Sequence, residues 1–173
     1  VVGGSLGAKV FNEIIPRAIY LVNKTLDCEL NIIHQAGKTS KIAEAQYKNI
    51  DVKFEVKEYI NSMKEAYEWC DIIICRGGAI TISELMVFGV PAIIVPYPYA
   101  TDDHQMKNSR YLESKEAAIV IDQENFTETY LAKILKSLIE NSKIRKTLSE
   151  NIFSLNKKNI TKNICNLILD EIN

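Results

Sequence analysis

The sequence has no excess of either charge: 21 lysines and arginines stand against 22 aspartates and glutamates, a formal net charge of −1 at neutral pH. That balance removes the broad electrostatic case for a nucleic acid or an anionic lipid surface as partner. Histidine is scarce, His34 and His104 alone, and no H-E-x-x-H occurs, which leaves no common zinc pattern. The four cysteines, Cys28, Cys70, Cys75 and Cys165, form no C-x-x-C pair. They read as small apolar residues of a reduced, cytosolic protein rather than as a disulfide frame or a metal site. No stretch approaches the roughly 20 apolar residues of a membrane span, and no signal-peptide pattern is present. Internal repeats and low-complexity tracts are also missing.

What is present is a chain of 173 residues, 47% of them apolar, enough for one domain with a sizeable core. It opens on Val1-Val2 directly before Gly3-Gly4, without an initiator methionine and as though inside a buried strand. The expectation is a piece of a longer protein. Short apolar runs alternate with helical periodicity, giving strands at Val1-Val2, 30–34, 52–56, 71–75, 92–95 and 117–121. Helices are expected from about Ala8, with a kink or break at Pro16, then over 40–47 and over 63–69 with Ser62 in its cap. Others run from a glycine pair to Phe88, closed by Gly89, and over 104–114, 127–140, 143–153 and 160–172. Residues 96–103 form a rigid aromatic loop, and 156–163, rich in lysine and asparagine, reads as a solvated link. Strands that are apolar without alternation imply a parallel sheet covered on both faces. The fold class is α/β: a Rossmann-like doubly wound parallel sheet of about six strands with a helical C-terminal tail.

The working centre falls at Arg76-Gly77-Gly78-Ala79-Ile80-Thr81-Ile82-Ser83-Glu84, between the apolar run 71–75 and a helix. A strand, a glycine pair and a helix N-terminus make an anion site, because first-turn amides have no partner inside the helix and the macrodipole is positive there. Paired glycines let the backbone approach a ligand. Glu84, one turn on and on the side of Ile80 and Thr81, suits ribose hydroxyls. A second glycine-rich strand-to-helix turn, Gly3-Gly4-Ser5-Leu6-Gly7-Ala8, carries the Ser5 hydroxyl, and is neither a P-loop nor a G-x-G-x-x-G. If the sheet is wound third-second-first-fourth-fifth-sixth, the strands before these two turns are neighbours where the winding reverses, and their exit loops share one crevice. Two helix N-termini there suit a diphosphate, each contributing about 0.3–1 kcal/mol through its dipole.

The segments GGSLGA (3–8), EYINSM (58–63), CRGGAITISE (75–84), GVPAIIVPYP (89–98) and DDHQMKNSRYL (102–112) occur in an order and spacing that resemble the C-terminal half of the MurG family. Those are the N-acetylglucosaminyltransferases that complete lipid II on the cytoplasmic face of the bacterial membrane. The resemblance runs from Val1 to about Ile121 and continues as a shared helical pattern. It implies one half of a glycosyltransferase-B fold, with residues 1–155 as a donor nucleotide-sugar-binding domain and 156–173 as a linker and helix packing toward an N-terminal domain. It also implies UDP-N-acetylglucosamine as donor, no cofactor and no metal. Lipid I would be the acceptor and, like peripheral contact with the membrane, would belong to the N-terminal domain. Position by position, Ser5 and its turn, Thr81 and the amides of Ala79 and Ile80 would face the diphosphate. Glu84 would hold the ribose hydroxyls, and Ile60 would read the uracil edge with its backbone, Met63 close by. His104 and Gln105 would meet the sugar hydroxyls, Asn108 would support that face, and Arg76 would steady the crevice. Two positions depart from the family's usual form: Leu6 stands for a polar residue and His104 for a second glutamine. Asp102-Asp103 reads as helix-capping charge, and Tyr97 and Tyr99 as wall.

The implied reaction is inverting transfer of N-acetylglucosamine to the 4-hydroxyl of lipid-linked N-acetylmuramoyl-pentapeptide. Helix termini and hydroxyls would stabilise the charge that develops as UDP leaves. The base for the acceptor would lie in the N-terminal domain, so this chain alone is expected to be soluble, to bind donor weakly and to catalyse nothing. On the residues alone other readings stay open: the donor-binding subunit of a split transferase, part of a UDP-N-acetylglucosamine 2-epimerase, or a non-catalytic nucleotide-binding module. The poor fit to G-x-G-x-x-G, and the lack of an acidic residue closing the second strand, weigh against NAD.

Overall fold

The computed structural model describes residues 1–4 and 7–156. Ser5, Leu6 and the expected helix over 160–172 lie outside the described residues. The strands are β1 (Asn31–Gln35), β2 (Lys53–Lys57), β3 (Ile73–Cys75), β4 (Ala92–Ile94) and β5 (Ile119–Val120). The helices are α1 (Lys9–Asn23), α2 (Ser40–Tyr47), α3 (Met63–Trp69), α4 (Ala79–Phe88), α5 (His104–Ser114), α6 (Glu128–Glu140) and α7 (Ser142–Ser154).

All pairings are parallel. β1 lies against β2 from Asn31 opposite Lys53 to Gln35 opposite Lys57, and β3, β4 and β5 form a separate ladder. Val2 joins the two, bridging Gln35 on one side and Cys75 on the other. Its amide donates to the Ile74 carbonyl at 2.8 Å, and the Gln35 amide donates to the Val1 carbonyl at 2.9 Å. The order across the sheet is therefore β2-β1-Val2-β3-β4-β5, the expected doubly wound order, with the winding reversing at Val2. The first expected strand is present as this single bridging residue.

Both faces of the sheet are covered, which is why its central strands are apolar at every position. Ile74, Ile93 and Val95 pack with Phe11 and Ile15 of α1 and Leu131 and Leu135 of α6. Their neighbours Ile73, Cys75, Ala92 and Ile94 point the other way, into a cluster with Tyr67, Leu85, Leu112 and Ile152. Each such leucine, isoleucine, valine or phenylalanine contributes about 1.5–3 kcal/mol by burial.

Two local features differ from expectation. α1 is not broken at Pro16 and continues to Asn23, with Ile15, Ala18 and Ile19 around the proline buried; packing of that face outweighs the roughly 3 kcal/mol that an interior proline costs. Cys28 is exposed rather than packed, unlike the buried Cys75. A cavity of about 620 Å³ runs between the N-terminal ends of β1 and β3, touched by Ile19 and Leu135 from one face and Ala66 and Trp69 from the other. Its lining mixes core residues such as Ile73 and Ile74 with exposed ones such as Cys28 and Trp69, and includes neither glycine turn.

Candidate functional site

The chain leaves β3 at Cys75 and enters α4 through Arg76, Gly77 and Gly78. Gly78 stands at the helix start with extended geometry (φ −69°, ψ 142°), and no side chain caps the first turn. The amides of Ala79, Ile80 and Thr81 have no hydrogen-bond partner among the described residues; the ladder begins where the Ile82 amide donates to the Gly78 carbonyl at 3.0 Å. Ile80 is 78% exposed, so this turn faces open space. Packing demands glycine at position 77, where a Cβ would stand 2.4 Å from Ser109 Oγ and 2.6 Å from the Gln105 carbonyl oxygen.

The other glycine turn is built on β1. Gly4 and Gly7 have φ of +83° and +74°, and a Cβ on Gly7 would stand 2.1 Å from the Ala36 carbonyl oxygen. Gln35, buried at the end of β1, donates through Nε2 to the Gly4 carbonyl at 2.9 Å, and the Gly7 amide donates to the same oxygen at 3.0 Å. α1 follows with no side-chain cap among the described residues and no acidic residue in its first turn. Because Val2 bridges both β1 and β3, the two turns leave the sheet side by side.

Arg76 ties them together. Its guanidinium lies 4.6 Å from the Phe11 ring centroid, in the first turn of α1, and 5.5 Å from that of Tyr97. It donates to the Val95 and Pro96 carbonyls at 3.0 and 3.2 Å and to Gln123 Oε1 at 2.8 Å. Partial burial lowers its pKa to about 10, so it stays a cation at neutral pH. Its partners among the described residues are neutral carbonyl oxygens, none of which cancels its positive charge.

α5 is attached to the same turn. Asn108 Nδ2 donates to the Gly77 carbonyl at 3.4 Å, and Gln105 Oε1 accepts from the Tyr97 amide at 3.1 Å. His104 is exposed, with Nδ1 2.6 Å from the Thr101 carbonyl; that contact assigns the proton of the neutral ring to Nδ1 and leaves Nε2 as an acceptor. Asp102 and Asp103 stand at the start of α5, Asp103 in the N-cap position, as the expected charge, but neither caps it through a side-chain hydrogen bond. Both have left-handed backbones, φ +52° and +55°, with no side-chain bond to the first turn; an N-cap side chain reaches those amides from an extended backbone.

Glu84 is half-buried on the second turn of α4, and its Oε2 accepts from the Tyr67 hydroxyl at 2.9 Å. Tyr67 is buried in α3 with its ring stacked on Phe88, centroids 5.2 Å apart. Burial and the neighbouring carboxylate push its pKa well above the usual phenol range. Ile60 is buried, and its backbone N–H and C=O have no partner among the described residues. Met63 begins α3 beside Ser62, whose Oγ accepts from the Glu65 amide at 3.3 Å as a cap. Ile60 and Met63 touch the cavity between β1 and β3 rather than the glycine turns, and α3 links them to the crevice through Tyr67.

The structure thus gathers Arg76, Ala79, Ile80, Thr81, Glu84, Gln105 and Asn108 around one turn. Sequence reasoning missed Gln35, Tyr67 and Gln123. A buried tyrosine needs a partner for its hydroxyl, which was the available signal for Tyr67. Gln123 lies 47 residues from Arg76, and no local pattern links the two.

Comparison with known proteins gives this arrangement its setting. Residues 1–164 match the glycosyltransferase family 28 C-terminal domain. A UDP-N-acetylglucosamine--N-acetylmuramyl-(pentapeptide) pyrophosphoryl-undecaprenol N-acetylglucosamine transferase of Psychromonas ingrahamii is 44% identical over 152 residues, covering 87% of this chain and 42% of the relative. The protein of the same description in Marinobacter nauticus is 40% identical over 174 residues, covering 100% of this chain and 47% of the relative. The crystal structure of Acinetobacter baumannii MurG superposes with a TM-score of 0.82 at 36% identity, covering 98% of this chain and 48% of that one. The chain spans about half the length of these relatives. It belongs to the MurG family, within glycosyltransferase family 28, and corresponds to the C-terminal half of those proteins.

Proposed function

We propose that this chain is the donor-binding half of a transferase that moves N-acetylglucosamine from UDP-N-acetylglucosamine to undecaprenyl-pyrophosphoryl-MurNAc-pentapeptide, converting lipid I to lipid II in peptidoglycan synthesis. The observation that carries this reading is the pair of neighbouring glycine turns, each opening an uncapped helix, with the uncancelled Arg76 charge between them. The diphosphate lies across the two helix N-termini, held by the amides of Ala79, Ile80 and Thr81, the Thr81 hydroxyl and Ser5. Glu84 takes the ribose hydroxyls. The free backbone groups of Ile60 read the uracil edge, with Met63 beside it. His104 Nε2 and the Gln105 amide nitrogen meet the sugar, and Asn108 holds the Gly77 turn in place.

As the glycosidic bond breaks, negative charge grows on the departing diphosphate, and donors already fixed around it stabilise that charge without reorganising. In this reading the acceptor, its base and the membrane-facing surface belong to the N-terminal half, the whole enzyme works at the cytoplasmic side of the membrane, and residues 1–155 act as the donor domain. The chain alone then binds donor and transfers nothing.

Calorimetric titration with UDP-N-acetylglucosamine, UDP, ADP and NADH, without magnesium, tests it. Binding of the two uridine ligands alone is expected; equal binding of ADP or NADH, or turnover of lipid I by this chain by itself, would contradict it.

A further inference from the structure

Tyr67 is buried on α3, outside the crevice, yet its hydroxyl reaches the half-buried Glu84 carboxylate. We propose that Tyr67 is a positioning residue for nucleotide recognition, holding the Glu84 carboxylate so that it selects ligands with a ribose diol. This rests on the donor reading of Glu84.

An ionised carboxylate is an acceptor only, with about four lone-pair sites on its two oxygens. The phenol must therefore donate, and it takes one site on Oε2 at 2.9 Å. Oε1 and the remaining site on Oε2 are left for two vicinal hydroxyls. Without the phenol, Glu84 has no other hydrogen bond or ion pair among the described residues, and a free glutamate side chain samples several rotamers that ligand binding must then restrict. The phenol is itself fixed: the ring is 2% exposed, stacks on Phe88 and packs with Leu85, both on α4 with Glu84. α3 thus sets the direction of an α4 side chain through one bond.

Tyr67→Phe removes the hydroxyl and keeps the ring and its packing, so the fold is retained and the effect is confined to the carboxylate. Calorimetry with UDP and with 2′-deoxyuridine diphosphate, on the wild-type chain, Tyr67→Phe and Glu84→Ala, separates the possibilities. Tyr67→Phe is expected to weaken UDP binding about 5–10-fold, the size of one lost hydrogen bond of ordinary strength. The loss for the 2′-deoxy ligand is expected to stay below about twofold, because that ligand uses the carboxylate less. Thermal unfolding of the variant, measured alongside, reports any general loosening.

Equal losses for both ligands would make Tyr67 a packing residue and overturn the proposal. So would a Tyr67→Phe chain that binds UDP as the wild type does while Glu84→Ala does not. If Glu84→Ala itself fails to discriminate between the two ligands, or the wild-type chain binds no UDP, the donor reading beneath the proposal fails instead, and the proposal with it.

Discussion

Gly77 and Gly78 are adjacent and do opposite things. At 77 a methyl group would collide with Ser109 Oγ and the Gln105 carbonyl on α5. At 78, where φ is −69°, it would find only Thr81 Oγ1, 3.9 Å away. Gly77→Ala is therefore expected to cost about 1–3 kcal/mol of stability, as overpacking does. Gly78→Ala should unfold within about 0.5 kcal/mol of the wild type, yet, in the proposed donor reading, bind UDP more weakly, because there glycine would serve the approach of the ligand and not the packing of the chain. Urea unfolding and titration of the two variants check this; unchanged UDP binding in Gly78→Ala would remove the ligand from that turn. The glycine pair and Glu84 could be read from the sequence because a strand, two glycines and a helix start are contiguous. Which glycine is structural could not, since that depends on α5, nearly thirty residues downstream.

Among the elements, the helices were more legible than the strands. α2, α3, α4 and α5 begin and end where periodicity, Ser62 and Gly89 place them, because caps and apolar spacing are local. β1 and β2 keep their expected length shifted by one residue, whereas β3, β4 and β5 are shorter than their apolar runs, for a parallel ladder extends only where both neighbours keep register; β5 is two residues of an expected five. The role of Arg76 belongs at this scale, because it fastens the end of β3 to the exit of β4 and to Gln123. Replacing it with methionine leaves the Val95 and Pro96 carbonyls without their donor and is expected to cost about 2–3 kcal/mol. Lysine should not restore the loss, since a single ammonium cannot reproduce the planar fork. Urea midpoints at constant slope measure this, and a change below 0.5 kcal/mol for methionine would show the contacts to be incidental.

For the whole molecule, the sheet order followed from the general doubly wound pattern, whereas the buried polar network behind it did not. His34 lies fully buried on β1, Nδ1 3.2 Å from the Tyr47 hydroxyl and Nε2 without a partner among the described residues. Its position in an apolar run gave no sign of this, because the helix that buries it, α2, meets β1 only in the folded chain. Burial holds its pKa down to about 3 from an ordinary 6.5. As pH falls below 6.5 the unfolded chain takes up a proton that the folded chain refuses, so stability drains away across the window from 6.5 to 3, by a few kcal/mol in all. His34→Gln should flatten the stability profile between pH 6.5 and 4.5 relative to wild type. Parallel profiles would contradict a buried neutral imidazole.

The central claim is that a nucleotide diphosphate lies across two neighbouring helix N-termini, and backbone amide shifts recorded while UDP is titrated into the ¹⁵N-labelled chain test it most directly. The largest shifts are expected together at Ala79, Ile80 and Thr81 and at Gly4, Gly7 and Lys9, saturating at one affinity. Shifts at only one of the two turns, or shifts centred on Asn31–Ile33 and Ile72–Ile74 around the cavity between β1 and β3, would place the ligand elsewhere and contradict it.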